Sequence, residues 1–382
     1  MLTGTARSGA GGGPEVAVIG AGPIGLAVAW RCALAGAAVT GYDPTPGSGA
    51  GAVAAGMVAP VAEAIFGERE LTGLLAASAS RWPAFAAELT AATGADLGYR
   101  TDGTLVVGLT ADDLTEARRL WTYQRELGLP VTPLRPTGLR ECEPALATRV
   151  RGGALLPTDH QVDPRRLTAA LRRAAERAGV RFVPTAVTDL AGLRADVTVV
   201  AAGCGTAALT GLPVRPVKGQ ILRLRAPAGT APAIRYVVRG LADGEPVYLV
   251  PRRDGEVVVG ATVEERSDTE VTAGAVQRLL RAATDLVPEL AEYRLVEATA
   301  GLRPGTPDNA PILGRLAGRS GPLVAAGHHR HGIALTPVTA DLIAELALTG
   351  RADPLLDPFT PDRFAPSPPG PAGPDGTEVS GR

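Results

Sequence analysis

Lysine, cysteine and long apolar runs are what this sequence has least of. Lys218 is the only lysine among 382 residues, so nearly all the positive charge is arginine. With 38 basic and 39 acidic residues the formal net charge is −1, which gives no electrostatic reason to expect nucleic acid or an acidic membrane surface as partner. Cys32, Cys142 and Cys204 are odd in number and widely spaced. That excludes a disulfide framework and a C-x-x-C zinc or redox site, and fits a reducing cytoplasm. No apolar run reaches the roughly 18 residues of a membrane span, and the first fourteen residues hold no apolar core of signal-peptide length. A cytoplasmic protein with no membrane partner is expected.

What is present is a chain that is 45% hydrophobic and long enough for about two domains. Its organising stretch is residues 16–43. Val16-Ala-Val-Ile reads as a buried parallel strand, followed at once by Gly20-Ala21-Gly22-Pro23-Ile24-Gly25, a helix-like run to Gly36, a second strand and Asp43. Gly20 makes the tight turn, Gly22 lets the backbone approach a pyrophosphate, and Gly25 lets the helix pack against the strand. Pro23 suits the first helical turn and Gly36 a left-handed C-terminal cap. Asp43 stands where an acid that binds ribose hydroxyls belongs, and its charge disfavours a 2′-phosphate. The whole strand, turn, helix, strand and acid pattern predicts dinucleotide binding.

After Asp43 a run of small residues, 44–60, is too long for a simple turn, and residues this small let a backbone pass close to a bulky ligand. Residues 68–93 predict one or two helices and 99–109 a hairpin about Asp102-Gly103. Helices follow at 111–127 and 163–178, the second with Asp163 as N-cap, Pro164 in its first turn and Gly179 as stop. Residues 130–144 look broken and polar, and 182–183 and 187 look like short strands. Residues 196–205 repeat the opening pattern, a buried strand ending in Gly203. From 216 alternating apolar residues predict an antiparallel sheet, then a helix at 272–286 and a strand at 293–302. A third buried strand, 323–326, leads into Gly327-His-His-Arg330-His-Gly332 and a helix. Three of the four histidines lie there, but Arg330 sits among them and no carboxylate or cysteine stands at ligand spacing, so no metal site is expected.

Together these markers resemble the D-amino-acid oxidase family of FAD enzymes, and within it the glycine oxidase branch of thiamine biosynthesis. They are Val18-Ile-Gly-Ala-Gly-Pro-Ile-Gly25, Ala54-Ala-Gly-Met-Val-Ala-Pro60, Gln161-Val-Asp-Pro-Arg165, Pro216-Val-Lys-Gly-Gln220, Tyr248-Leu-Val-Pro-Arg252, Gly301-Leu-Arg-Pro-Gly-Thr-Pro-Asp308 and Gly327-His-His-Arg-His-Gly-Ile333. The resemblance implies an α/β fold with an α+β insert: a Rossmann-like FAD-binding domain (15–84, 149–217 and 296–365) interleaved with a mixed or antiparallel-sheet substrate domain (85–148 and 218–295). Residues 1–14 and 366–382 are expected to be disordered tails.

For the site, the resemblance implies noncovalent FAD lying along Ala54, Ala55, Gly56 and Met57. Val187 would offer backbone groups to the adenine, and Gly203 would end a second cofactor-facing strand. Gly332, Ile333, Ala334, Leu335 and Thr336 would open a helix whose N–H groups face the polar edge of the flavin. Arg303 would clamp the substrate carboxylate, since a guanidinium fork matches its two oxygens. Tyr248 would add a second contact, Arg330 would stand near flavin or carboxylate, and Lys218 would approach the flavin. Thr262 or Val263 are candidates to face Tyr248. Three departures stand out: His331 where relatives carry asparagine, Asp43 in place of glutamate, and Ala52-Val53 where a serine is expected.

The implied activity is oxidation of glycine or a small amine by hydride transfer to flavin, giving glyoxylate through the imine, ammonia and hydrogen peroxide, with oxygen as acceptor and thiazole synthesis as destination. A sarcosine, D-amino-acid or proline oxidase or dehydrogenase has the same fold and clamp, and a flavin-binding subunit without turnover is the reading from another class. Relatives that form dimers and tetramers imply a homo-oligomer.

Overall fold

A computed structural model describes residues 13–242, 244–316 and 321–365. The expected tails fall outside these residues except for Gly13 and Pro14, and the Pro14 carbonyl is tied to the Ala38 N–H at 3.0 Å.

A six-stranded sheet has the order Ile312–Arg315, Leu323–Ala326, Val197–Val200, Glu15–Ile19, Ala38–Tyr42 and Arg181–Val183. All neighbours are parallel except the antiparallel Ile312–Arg315 edge. Its strands are short and apolar because both faces are covered; Val16, Val18, Val199 and Val200 are buried. Helix Pro23–Leu34 packs on helices Pro164–Arg177 and Thr336–Thr349. In that core Trp30 and Trp82 each meet Phe85 edge-on, at 5.8 and 5.6 Å. The predicted helix ends hold: as N-cap, Asp163 accepts from the N–H groups of Arg165 and Arg166, and Gly36 and Gly179 take φ of +89° and +93°. Three adjacent parallel strands, Glu15–Ile19, Val197–Val200 and Leu323–Ala326, bring their C-terminal ends together. A glycine of positive φ follows each, Gly20, Gly203 and Gly327, and in such sheets ligands bind outside these ends.

The second sheet has eight strands in the order Arg294–Gly305, Arg215–Arg225, Glu256–Gly260, Glu245–Pro251, Val237–Ala242, Thr104–Gly108, Gly152–Leu156 and Thr132–Leu134. It is mixed, since residues 237–241 run parallel to Thr104–Gly108. Helix Ala273–Leu286 covers one face, where the absence of a side chain on Gly240 makes room for Leu286. The other face looks towards the small-residue run.

Several local expectations are corrected. Gly103 does turn the chain, at φ +98°, but its flanks do not pair with each other: Arg100 bridges to Gln161, and Thr104–Gly108 pairs with Gly152–Leu156. Turn chemistry is local, whereas the strand's partner is chosen by burying Leu105 and Val107. Residues 130–144, read as broken, contain strand Thr132–Leu134 and helix Pro136–Cys142. Arg181–Val183 ends before Val187, which is not in a strand. Gly152–Leu156, residues 215–217 and residues 296–305 lie in the eight-stranded sheet. Arg215–Arg225 and Arg294–Gly305 pair from Arg215 against Gly305 to Arg225 against Arg294, with one register shift between Arg223 and Leu224, so no linker marks the crossing.

Candidate active site

Gly20 lies at φ +101°, and a methyl group there would strike the Ala201 carbonyl. A methyl on Gly25 would strike the Gly20 carbonyl, which is how closely the helix packs on the turn. Gly22, by contrast, has open space beside it. It caps Pro23–Leu34 with no side-chain capping bond and no acid in the first turn. The helix therefore presents unpaired N–H groups and its positive dipole end to that space, an anion site. Beside it, Asp43 accepts from the Ala21 N–H at 2.7 Å and the Thr45 N–H at 2.8 Å. These bonds fix the carboxylate and leave it lone pairs for hydroxyl groups.

The small-residue run is held from behind by two arginines. Arg252, 5% exposed, donates to the Ala55 carbonyl at 2.6 Å and to Gln161 Oε1 at 3.0 Å. Arg165 Nε donates to the Ala52 carbonyl at 2.9 Å. Gly56, at φ +84°, lies so close to the Val162 carbonyl that no side chain fits. Residues 54–57 thus form a fixed track of small residues.

The segment expected to open the last helix is instead a turn. The helix begins at Thr336, where Pro337 in its first turn sets the start, and Gly332, Ile333, Ala334 and Leu335 precede it. Ser78 Oγ and Trp82 Nε1 pin the Ala334 carbonyl at 2.6 and 2.9 Å. Among the described residues the N–H groups of Gly332, Ile333 and Ala334 have no hydrogen-bonded acceptor. Three donors in a row, an open anion site, a hydroxyl acceptor and a track free of bulk fit an FAD.

Facing the track is the uncovered face of the eight-stranded sheet. Tyr248 packs against the cluster of Ala55, Ile221, Val237, Val250 and Val258, as do Val53 and Met57. Its direct neighbours across the strands are Arg239 and Gly260, and the ring occupies the space above Gly260. Thr262 and Val263 do not face it: the Thr262 hydroxyl bonds Glu264 at 2.6 Å and Val263 is exposed. The Arg303 guanidinium lies over Gly219, and its Nη1 donates to the carbonyls of Lys218 and Thr262 at 3.3 and 3.1 Å. Among the described residues no carbonyl or carboxylate is hydrogen-bonded to its Nη2 or Nε. Burial pushes the Tyr248 phenol up and the neighbouring Arg303 opposes that, so Tyr248 remains a protonated donor beside a half-free guanidinium. Arg303 and Tyr248 are thereby brought together.

Arg330 is placed by a residue that sequence reasoning missed. Its Nε lies 2.9 Å from Glu63 Oε2, and the other Glu63 oxygen accepts from Arg239 Nη1. Burial works against the Glu63 charge, but the Arg239 and Arg330 guanidiniums outweigh it and hold the carboxyl well below its usual range. Asp159 fixes this loop by accepting from the Val61 and Ala62 N–H groups, each at 2.9 Å. Burial pushes the Asp159 carboxyl up to about 7 against those two bonds. Only the small-residue spacing before Glu63 could have drawn attention to it; Arg239 and Asp159 carry no local signal.

Lys218 is corrected outright. It is fully buried, and alternation along Arg215–Arg225 places it opposite Gly219, away from Arg303; its Nζ pairs with Asp268. Gln220, on the same side, bonds Glu264 and the Thr272 N–H, and its backbone N–H donates to Thr262 Oγ1 at 2.9 Å. This side of the strand therefore anchors the segment whose Thr262 carbonyl orients Arg303. Burial keeps His328 and His331 neutral, lowering their pKa values to about 3 and 4, and His328 bonds the Thr339 hydroxyl at 3.1 Å. The departure at His331 leaves its Nε2 buried without a partner among the described residues. Cys204 lies 3.7 Å from the Leu302 carbonyl. No described helix is long and apolar enough to cross a membrane.

Known proteins are similar to this chain in sequence and fold. The bifunctional protein ThiO/ThiG of Synechocystis is 36% identical over 373 residues, covering 92% of this chain and 54% of that protein. The chain thus spans about half the length of these bifunctional relatives. A glycine oxidase from Geobacillus kaustophilus is 34% identical over 354 residues, covering 87% of this chain and 92% of that protein. The crystal structure of glycine oxidase from that organism superposes with a TM-score of 0.85 at 33% identity, covering 92% of this chain and all of that one. The profile of the FAD dependent oxidoreductase (DAO) family matches residues 15–346, and the chain, an FAD-dependent oxidoreductase, belongs to that family.

Proposed function

We propose that this enzyme oxidises glycine and closely related small amines. The observation that carries the reading is the half-free Arg303 guanidinium beside the Tyr248 phenol, both facing residues 53–57. Nη2 and Nε of Arg303 take the substrate carboxylate as a two-point fork, and the Tyr248 hydroxyl donates to the same group. The carbonyls of Lys218 and Thr262 hold the guanidinium from behind, so its orientation is set before substrate arrives. FAD, when bound, supplies the two-electron acceptor for the hydrogen leaving the α carbon as hydride. The residues for it are Gly20 to Gly25 and Asp43 at the dinucleotide end, and residues 54–57 and 332–336 at the ring. No side-chain base is needed for an α proton, which agrees with the weak basicity of Glu63, whose charge two arginines stabilise, and of His331, whose burial disfavours its protonation. The amine enters as the free base.

The net reaction is glycine, water and oxygen to glyoxylate, ammonia and hydrogen peroxide. In line with the resemblance to the glycine oxidase branch of thiamine biosynthesis, the glycine imine released before hydrolysis would serve thiazole formation. In this reading residues 15–84, 149–217 and 296–365 serve chiefly the cofactor, and 85–148 and 218–295 chiefly the substrate. Peroxide formation from glycine, sarcosine, D-alanine and D-proline tests the assignment. Glycine should give the highest kcat/KM, and a preference for D-proline by tenfold or more would replace it.

A further inference from the structure

We propose that Glu63 is a specificity residue that restricts the substrate to a single carboxylate. The proposal rests on the reading of Arg303 and Tyr248 given above. Arg239 lies directly across the strands from Tyr248, at a spacing of about 5 Å between Cβ atoms, so it lines the same wall. Glu63, 9% exposed, bridges Arg239 and Arg330 from the loop that follows the track. Its Oε2 is buried and, although close to Arg330, forms no aligned hydrogen bond. The wall beyond the clamp therefore holds two guanidiniums and one carboxylate.

A second carboxylate on the substrate, carried on nitrogen or on the α carbon, would have to enter beside that carboxylate. Glu63 already occupies the guanidinium edges such a group would need, and like charges a few ångströms apart in a half-buried site repel strongly. A glycine molecule, whose one carboxylate is held by Arg303, meets no such penalty. Removing the Glu63 charge frees both arginines for an incoming anion. Removing Arg239 instead leaves the wall with no surplus positive charge.

The test compares iminodiacetate and D-aspartate with glycine in the FAD-loaded enzyme, its Glu63→Gln and Glu63→Asp variants, and Arg239→Gln. The ratio of kcat/KM for the better dicarboxylate to that for glycine should rise at least about tenfold in Glu63→Gln. It should return to within threefold of the parent in Glu63→Asp and fall in Arg239→Gln. Dissociation constants for malonate and acetate, read from perturbation of the flavin absorption band, should shift in the same direction without any turnover. An unchanged ratio and an unchanged malonate preference in Glu63→Gln would overturn the proposal. If Glu63→Gln does not fold, an Arg239→Gln ratio equal to the parent's does so instead. If the parent oxidises neither glycine nor sarcosine, the functional reading fails, and the malonate to acetate ratio still decides the role of Glu63.

Discussion

Gly219→Ala separates the substrate clamp from the fold. The backbone of Gly219 is not at positive φ, and the atoms a new methyl would meet are the two terminal nitrogens and the central carbon of the Arg303 guanidinium. These form the far end of a flexible side chain, so the sheet has no reason to distort. The guanidinium must move by roughly 1 Å to restore van der Waals contact, and a misplacement of that size in a positioning group costs about 100-fold, or about 2.7 kcal/mol. Its bonds to the Lys218 and Thr262 carbonyls would be lost in the same movement. We expect kcat/KM for glycine to fall about 100-fold, mainly through KM, in a peroxide-coupled assay. Flavin content should be unchanged, and stability should stay within about 1 kcal/mol because alanine suits a strand at least as well as glycine. Arg303→Lys should cost a similar factor in the parent and little more in the Gly219→Ala background, since both act on one interaction. A Gly219→Ala enzyme with the parent's KM for glycine would refute the placement of the carboxylate on Arg303.

Gly25→Ala should yield protein without flavin, because its methyl meets the backbone carbonyl of Gly20, which cannot swing aside; absorbance near 450 nm of the purified variant checks this. Asp159→Ala leaves the Val61 and Ala62 N–H groups without their acceptor, so unfolding free energy should drop by about 2–4 kcal/mol, measured by urea denaturation. Stability should also fall with acid between pH 6.5 and about 4. The folded His328 and His331 refuse protons until about pH 3 and 4, while the unfolded imidazoles accept them below about 6.5. The contribution is therefore complete above 6.5 and lost as pH falls. His331→Asn should flatten that slope in denaturation curves taken across the range, whereas Asp159, raised to about 7, contributes with the opposite sign and loses its contribution as pH rises.

The cofactor side was readable because its constraints are local. Gly20, Gly22 and Gly25 fall within six consecutive residues, and the turn and helix they serve are built from the same short stretch. The start of the last helix was misjudged by four residues because a turn and a first helical turn look alike until Pro337 fixes the boundary. Arg303 and Tyr248 were found through resemblance, but why they work together was not legible. That depends on Gly219 and Gly260, whose missing side chains leave room on neighbouring strands, and their register is not written in either strand alone. The Glu63 to Arg239 bond joins residues 176 apart, and Asp159 reaches across 98 residues to Val61. Lys218 was misread for the same reason: alternation assigns it a face, but only the pairing of Arg215–Arg225 with its neighbours says which face meets the site.

Whether glycine reduces the flavin is decided by adding it anaerobically to the purified enzyme and following the visible spectrum. Glycine should bleach the flavin band stoichiometrically, the response should be lost at the same glycine concentration in Gly219→Ala, and the band should recover with release of peroxide when air returns. A bound flavin that glycine leaves oxidised at saturating concentration, in a parent enzyme that another amine reduces, would contradict the proposed oxidation of glycine.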